Sequence, residues 1–316
     1  MTRVMTLSFI VPTRDTPELL LACIASVARE APRAEVVVVD DGGRDDIARR
    51  VRALLPSAAT LRLDNGRGFA AAANAGFEIA RGGLLVCLNS DTELQPGAVE
   101  ALVDAFSKNP RLGIVGGNLR YPDGKPQWSG GAEPDLLWLF ALVSGLGRLR
   151  GERRRSAAPP RDASAVRFCD WVSGAAIAIR RPVWEACGPF SEGFRFYAQD
   201  LEFCRLAFDQ GWRIAVAEGF RVLHHHGATV SSRGGAAGGQ RLDLLWADLA
   251  DWYERRHGGN AGRLARRTMR TAARLRALLP GDPTTRRAVT AGLSALRGEA
   301  SREAAGRSGD PRGPLD

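Results

Sequence analysis

Three short polar clusters and one run of histidines hold the residues best suited to chemistry. The clusters are Asp40-Asp41-Gly42-Gly43, Asn89-Ser90-Asp91 and Gln199-Asp200-Leu201-Glu202, and the run is His224-His225-His226. A carboxylate such as Asp91 suits a hard divalent cation, which bridges phosphate oxygens and offsets charge on a departing diphosphate. Its competing reading is the N-cap of a helix starting at Thr92. Asp40 and Asp41 fit hydrogen bonds from a base N–H or a ribose hydroxyl, and they fit a tight Asp-Gly turn equally well. Asp200 follows the aromatic run Phe194 to Tyr197. A carboxylate beside aromatic walls can deprotonate a hydroxyl, or it can cap a helix. Imidazole is a common metal ligand, but neighbours alternate sides on a strand, so no more than two of the three histidines can reach one ion. The helical His-x-x-x-His spacing of a zinc hydrolase is missing.

The elements that must position these groups alternate in type. Leu7 to Val11 is a β-rich apolar run ended by Pro12, and the apolar spacing from Glu18 to Ala28 is helical. The pattern repeats as strand Glu35 to Val39 with helix Asp45 to Leu55. It continues as strand Thr60 to Leu63, turn Asn65 to Gly68 and helix Phe69 to Ala80, then strand Leu84 to Leu88. Unbroken apolar strands alternating with helices predict an α/β fold with a mostly parallel central sheet flanked by helices. Ligands of such sheets gather at the strand C-terminal ends. Pro12-Thr13-Arg14, Asp40-Asp41, Asn65 and Asn89-Ser90-Asp91 all fall there. Gly66, Gly68 and Ala71 match a dinucleotide fingerprint, with Asp91 about 20 residues on, but the match follows the third strand instead of opening the fold.

Beyond Val115 the texture changes. Tyr121 to Pro134 is rich in Pro, Gly and Trp and reads as a loop-rich insertion, followed by apolar Leu136 to Leu146 and basic Arg148 to Arg155. Regular signal returns at Val166 to Ile179, interrupted by Ser173-Gly174, and a strand is expected from Arg213 to Leu223. A helical, Arg-rich segment runs from Arg241 through Asp251 to Leu279, and 299–316 reads as disordered. The expected organisation is therefore 1–235 as one domain, with halves 1–118 and 119–235, then a basic helical extension 236–298 and the tail 299–316.

The net charge of +9 suits nucleic acid, an anionic membrane surface or acidic substrates, and composition does not choose among them. Five scattered cysteines, with no short paired spacing, fit a reducing compartment. Leu7 to Val11 is too short for a signal-peptide core, and Leu136 to Leu146 is about half the roughly 20 residues that a spanning helix needs. A cytoplasmic protein without a transmembrane segment is expected.

Taken together, the segments from Leu7 to Ser232 resemble the inverting family 2 glycosyltransferases of GT-A fold, in particular their rhamnosyltransferase-like bacterial branch. Phe9-Ile-Val-Pro-Thr13 resembles the family's opening strand, and Val36-Val-Val-Val-Asp-Asp-Gly-Gly43 its nucleoside-contacting loop. Asn65-Gly-Arg-Gly-Phe-Ala-Ala-Ala-Ala-Asn-Ala-Gly76 is similar to the branch's Asn-x-Gly-Phe-x-x-x-x-Asn-x-Gly element, the most specific match in this half. Asn89-Ser90-Asp91 stands in place of the family's Asp-x-Asp, which leaves Asp91 as the principal metal carboxylate. Trp171-Val-Ser-Gly-Ala-Ala176 resembles the wall beneath donor sugar and acceptor. Gly188-Pro-Phe-Ser-Glu192 with Phe196-Tyr-Ala-Gln-Asp-Leu-Glu202 resembles the acceptor segment carrying the base. Ser191 and Gln199 depart from the branch, which commonly has Asp and Glu there.

The resemblance implies a donor site of Pro12, Thr13, Arg14, Asp40, Asp41, Asn65, Gly68, Phe69, Asn74, Asn89 and Ser90. It also implies sugar and acceptor contacts from Trp171, Ser173, Gly174, Gln199 and Glu202, with Asp200 as catalytic base. Mn2+ or Mg2+ would be held by Asp91 and His224, with His225 a neighbour able to substitute. The donor would be a dTDP- or UDP-sugar, rhamnose being favoured by the branch. The acceptor would be a hydroxyl of a cell-surface polysaccharide or lipid-linked glycan, and no nucleic-acid partner is expected. The Arg-rich stretch Asp251 to Leu279, and apolar Leu136 to Leu146 beside Arg148 to Arg155, fit either the anionic inner face of the cytoplasmic membrane or a solvated basic helix packed on the domain. Two other readings stand beside it: a dinucleotide-dependent oxidoreductase using Gly66 to Ala71, and a non-catalytic carbohydrate-binding remnant. A nucleotidyltransferase would need a Gly-rich, Arg- and Lys-bearing loop after the first strand, which the sequence lacks.

Overall fold

Strand β1 (Leu7–Thr13) shows why the sheet is covered on both sides. Its Phe9 and Val11 point into one apolar core and Ile10 into another, as the two-residue period of a strand requires. The computed structural model describes residues 5–146, 165–225, 241–279 and 282–297. The basic stretch Arg148 to Arg155, His226, the expected boundary at 235–236 and the tail 299–316 lie outside these described residues.

After β1 come α1 (Pro17–Glu30), β2 (Glu35–Asp40), α2 (Ile47–Leu54), β3 (Ala59–Arg62), α3 (Phe69–Ile79), β4 (Leu84–Leu88), β5 (Thr92–Leu94), α4 (Ala98–Lys108) and β6 (Leu112–Arg120). The chain continues through β7 (Gly130–Gly131), α5 (Leu136–Ser144), β8 (Val166–Cys169), β9 (Trp171–Val172), β10 (Ala176–Arg180), α6 (Arg181–Cys187), α7 (Gln199–Asp209) and β11 (Arg213–His224). It ends in α8 (Leu242–His257), α9 (Gly259–Leu278) and α10 (Pro283–Ala295). Among the described residues the main sheet runs β3-β2-β1-β4-β10-β6-β11-β5, with β8 also on β11. Strands β3, β2, β1 and β4 are mutually parallel, as are β6 and β11. The expected mostly parallel sheet thus carries an antiparallel insert, β10, between β4 and β6, and antiparallel β5 and β8 on β11.

Two local expectations change. Thr92–Leu94 is a strand, so Asp91 has no helix to cap. The helical stretch from Asp251 to Leu279 is broken at Gly258, whose φ of 85° ends α8 before α9 begins.

The chain divides into two compact units. The described residues up to Glu133, with those from 165 to 225, form the sheet and its helices. Residues 134–146 and everything described from Arg241 onward form the second unit. Thus α5, expected within the 119–235 half, groups with α8, α9 and α10. Trp246 and Trp252 are fully buried in that helical unit, and Ala265, Met269, Ala272 and Ala273 line one face of α9. This spacing is an amphipathic stripe.

Helix α3 lies directly on the sheet because Ala71, Ala72 and Ala73 are small and buried. Gly76 completes that approach, since a Cβ there would stand 2.4 Å from Ile10 Cγ2 and 3.0 Å from Val39 Cγ2. Neither β-branched neighbour can swing away within a packed strand. Gly76→Ala should therefore cost about 1–3 kcal/mol through overpacking, measured as a fall in the urea midpoint without change in slope.

Candidate active site

The site grows from the C-terminal end of β4. Antiparallel β10 pairs Ala176 with Leu88, and the Asn89 N–H donates to the Ala175 carbonyl at 2.9 Å. Asn89-Ser90-Asp91 and Ser173-Gly174-Ala175 are thereby laid side by side. Two sequence clusters about eighty residues apart become one surface. The Ser90 hydroxyl lies 3.0 Å from Thr16 Oγ1, itself 3.3 Å from Thr13 Oγ1, so a buried hydroxyl chain ties the ends of β1 and β4.

Asp91 is next brought to the histidines by β5. Its three residues pair with β11 as Val222 with Leu94, Leu223 with Glu93 and His224 with Thr92, and the His225 N–H donates to the Asp91 carbonyl at 2.9 Å. Strand alternation then separates the two imidazoles. His224 is buried, with Nε2 3.4 Å from Asp91 Oδ1. His225 points to the other face, where its Nε2 is 2.8 Å from Glu93 Oε1. The expectation that His225 could stand in for His224 is therefore corrected: its ring is on the wrong side of the strand.

A carboxylate oxygen and an imidazole nitrogen facing each other in a buried site form a donor set that suits Mn2+ or Mg2+. Adjacent ligands of an octahedral ion at about 2.1 Å stand about 3 Å apart. The observed 3.4 Å is close to that separation. Among the described residues no group of three or more His, Cys, Asp or Glu side chains could hold a metal. A cation here would have two protein side chains and draw its remaining ligands from diphosphate oxygens and water.

The nucleotide half of the expected site is held together by its own carboxylates. Asp40 accepts from the Gly43 N–H and from Arg62 Nη1, both at 2.7 Å. Asp41 accepts from the N–H groups of Arg67 at 2.7 Å and Gly68 at 3.0 Å. Arg14 reaches over the same turn, and a Cβ on Gly66 would collide with its guanidinium. The Gly66 to Ala71 turn is thus fastened to Asp41, which occupies the amides that a dinucleotide pyrophosphate would need. This observation disfavours the oxidoreductase reading. A cleft beside it is lined by Thr13, Asp15, Thr16, Asp40 and Gly43.

The expected acceptor half centres on Asp200, in the first turn of α7. Its Oδ2 accepts from the Gly174 N–H at 2.8 Å and its Oδ1 from the Leu201 N–H at 2.9 Å. Burial pushes its pKa above the ordinary aspartate value, with those N–H groups opposing the shift. The helix cap is Ala198, at φ 69°, a left-handed conformation that non-glycine residues rarely adopt. Such strain is concentrated at functional sites.

Other expected residues take supporting roles. Asn74 holds the acceptor loop: its Nδ2 donates to the Phe190 carbonyl and its Oδ1 accepts from the Phe190 N–H, both at 2.9 Å. A nucleotide-contacting role for Asn74 gives way to that of a buried strut. Phe69 stacks on Phe190 at 6.4 Å between centroids and lies beside Gly174. The Trp171 indole donates to the Ala132 carbonyl and meets Trp128 edge-on at 5.0 Å. The Ser173 N–H donates to Ser129, while Gln199 Nε2 donates to the Phe196 carbonyl and Glu202 lies in the first turn of α7. Three residues escaped the sequence reading, Thr16, Gln127 and Trp128, while Glu192 of the Gly188–Glu192 segment pairs with Arg67 at 2.9 Å. Only Trp128 carried a signal, as an aromatic in a Pro- and Gly-rich segment.

With this geometry in hand, the comparisons agree on a class. Residues 8–160 match the model of Glycosyl transferase family 2. The N-acetylglucosaminyl-diphospho-decaprenol L-rhamnosyltransferase of Mycobacterium tuberculosis is 28% identical over 221 residues, covering 63% of this chain and 69% of that one. The O-antigen biosynthesis protein RfbC of Myxococcus xanthus is 27% identical over 233 residues, 70% of this chain but 17% of its own length. Among solved structures, the mannosyltransferase PcManGT from Pyrobaculum calidifontis, in complex with GDP-Man and Mn2+, superimposes with a TM-score of 0.57 at 18% identity, covering 96% of this chain and 88% of that one. GalNAc-T7 with UDP, GalNAc and Mn2+ gives 0.53 at 17% identity, covering 70% and 43%. Residues 8–160 are thus a family 2 glycosyltransferase domain, and the chain has the GT-A fold.

The two histidines should separate in experiment. His225→Ala removes a partly exposed side-chain contact with Glu93 and should cost less than about 1 kcal/mol of stability while leaving Mn2+ affinity unchanged by titration. His224→Ala should abolish most of that affinity.

Proposed function

We propose that the chain moves a sugar from a nucleotide-diphosphate donor to a glycan hydroxyl in one displacement with inversion. The observation that carries this reading is the β4–β10 junction, which joins Asp91 and His224 on one side to Gly174 and Asp200 on the other. Asp91 and His224 would hold Mn2+ or Mg2+. Such an ion, when bound, neutralises charge on the leaving diphosphate.

Asp200 supplies the base. Each of its oxygens is fixed by one backbone N–H and keeps a lone pair for the acceptor hydroxyl. As that oxygen attacks the anomeric carbon, Asp200 takes its proton. The bond from the anomeric carbon to the phosphate oxygen breaks, and the nucleoside diphosphate departs. Its raised pKa makes the carboxylate a better proton acceptor than an exposed aspartate. One base suffices, because no covalent glycosyl-enzyme forms.

The mycobacterial relative's name motivates the finer assignment: a deoxyhexose such as rhamnose carried on dTDP or UDP, and a lipid-linked or cell-surface glycan as acceptor. Helix α9 supports such an acceptor. Arg263, Arg267, Arg270 and Arg274 recur on one face, beside exposed Leu264, Leu275 and Leu278, the last 82% accessible. A basic and apolar stripe of this kind rests on anionic membranes. No helix of the described residues is long and apolar enough to cross one.

Asp200→Asn should lower kcat by roughly 100- to 10,000-fold while nucleotide-sugar binding persists in calorimetry; unchanged turnover would remove Asp200 from the reaction. In the native enzyme, the base form disappears as pH falls through its raised pKa. The acid limb of kcat/KM should accordingly lie above the ordinary aspartate value of about 3.9. Flotation with phosphatidylglycerol vesicles should recover the native protein at low salt and release it at high salt, and Arg267→Glu with Arg274→Glu should abolish recovery. Binding that ignores both changes would refute the membrane assignment.

A further inference from the structure

We infer that Gln127 is a positioning residue that sets the protonation pattern of the His224 ring and aims its other nitrogen at Asp91. Both side chains are buried. Gln127 Nε2 donates to the His224 carbonyl at 2.6 Å, and Gln127 Oε1 lies 2.9 Å from His224 Nδ1. These two contacts leave a single consistent arrangement. A backbone carbonyl only accepts, so the amide nitrogen must face it and the amide cannot be flipped. The amide oxygen also only accepts, so Nδ1 must carry the hydrogen between them. In the neutral ring, Nε2 then carries its lone pair on the side that faces Asp91 Oδ1.

Two electron-rich atoms 3.4 Å apart in a buried site repel each other unless a positive charge lies between them. Gln127 therefore prepares the pair for a cation. A carboxylate at this position would still accept from Nδ1 but would repel the His224 carbonyl, which is why an amide serves there. The brace is itself anchored. The Gln127 N–H donates to the Leu119 carbonyl at 2.9 Å, and Ser129 Oγ accepts from the Leu119 N–H at 2.8 Å. The end of β6 thus delivers the amide to a histidine 97 positions later. Metal-binding histidines are commonly fixed through their second nitrogen, and loss of such a partner weakens metal affinity about 10- to 100-fold.

This inference rests on the proposed Asp91–His224 metal site, and the test separates the two. Long-range 1H–15N NMR of the full-length wild-type protein reads the His224 tautomer without any variant, and Nδ1–H is expected; a dominant Nε2–H form would overturn the inference. Mn2+ is then titrated by EPR, with and without UDP, against wild type, Gln127→Met and His224→Ala. Gln127→Met conserves shape but neither hydrogen bond, and it should weaken Mn2+ binding about 10- to 100-fold with a mixed His224 tautomer. Wild-type affinity in Gln127→Met, with affinity lost in His224→Ala, would refute the role of Gln127 alone. Wild-type affinity in His224→Ala would refute the metal site and the inference with it.

Discussion

Three residue pairs between β5 and β11 are the constraint on which the site depends. Thr92–Leu94 is a short strand, yet its antiparallel register with Val222–His224 sets Asp91 against His224. Because side chains alternate along a strand, a slip of one residue would bring His225 to Asp91 and turn His224 away. The backbone bond from the His225 N–H to the Asp91 carbonyl closes the ladder at the point where the chemistry begins. A second pairing, β4 with β10, passes this placement on to Gly174 and from there to Asp200.

The two carboxylates at the heart of the candidate site have different surroundings, which suits the distinct roles proposed for them. Asp91 faces an imidazole nitrogen, a partner able to share a cation. Asp200 is met by neutral backbone N–H groups within a buried environment that favours its protonated form. Separating two titratable groups by environment is a general way to obtain distinct roles from one residue type. Asp40 and Asp41 are different again. Both are tied to neighbouring turns, so what they do in the fold is to shape that end of the crevice.

Much of the first half of the sheet was legible from local pattern. Apolar runs closed by Pro12, Asp40-Asp41 and Asn89-Ser90-Asp91 marked strand ends, and β1, β2 and β4 fall where those runs lie. The competing reading of a helix after Asp91 fell only to the structure, since three residues hold too little periodicity to distinguish a strand from a first helical turn. The grouping of α5 with the C-terminal helices was invisible for a related reason. An apolar run states that a segment is buried and says nothing about which partner buries it.

The amino-acid sequence by itself determined the alternation of strands and helices, the polar clusters at strand ends and the family they resemble, because these are properties of neighbouring residues. Tertiary structure alone decided which histidine meets Asp91, that Asn74 braces Phe190, and that Gln127 holds the ring of His224. Each of those facts is a contact between residues about a hundred positions apart in the chain. Strand register and loop path, which no local pattern encodes, set its geometry.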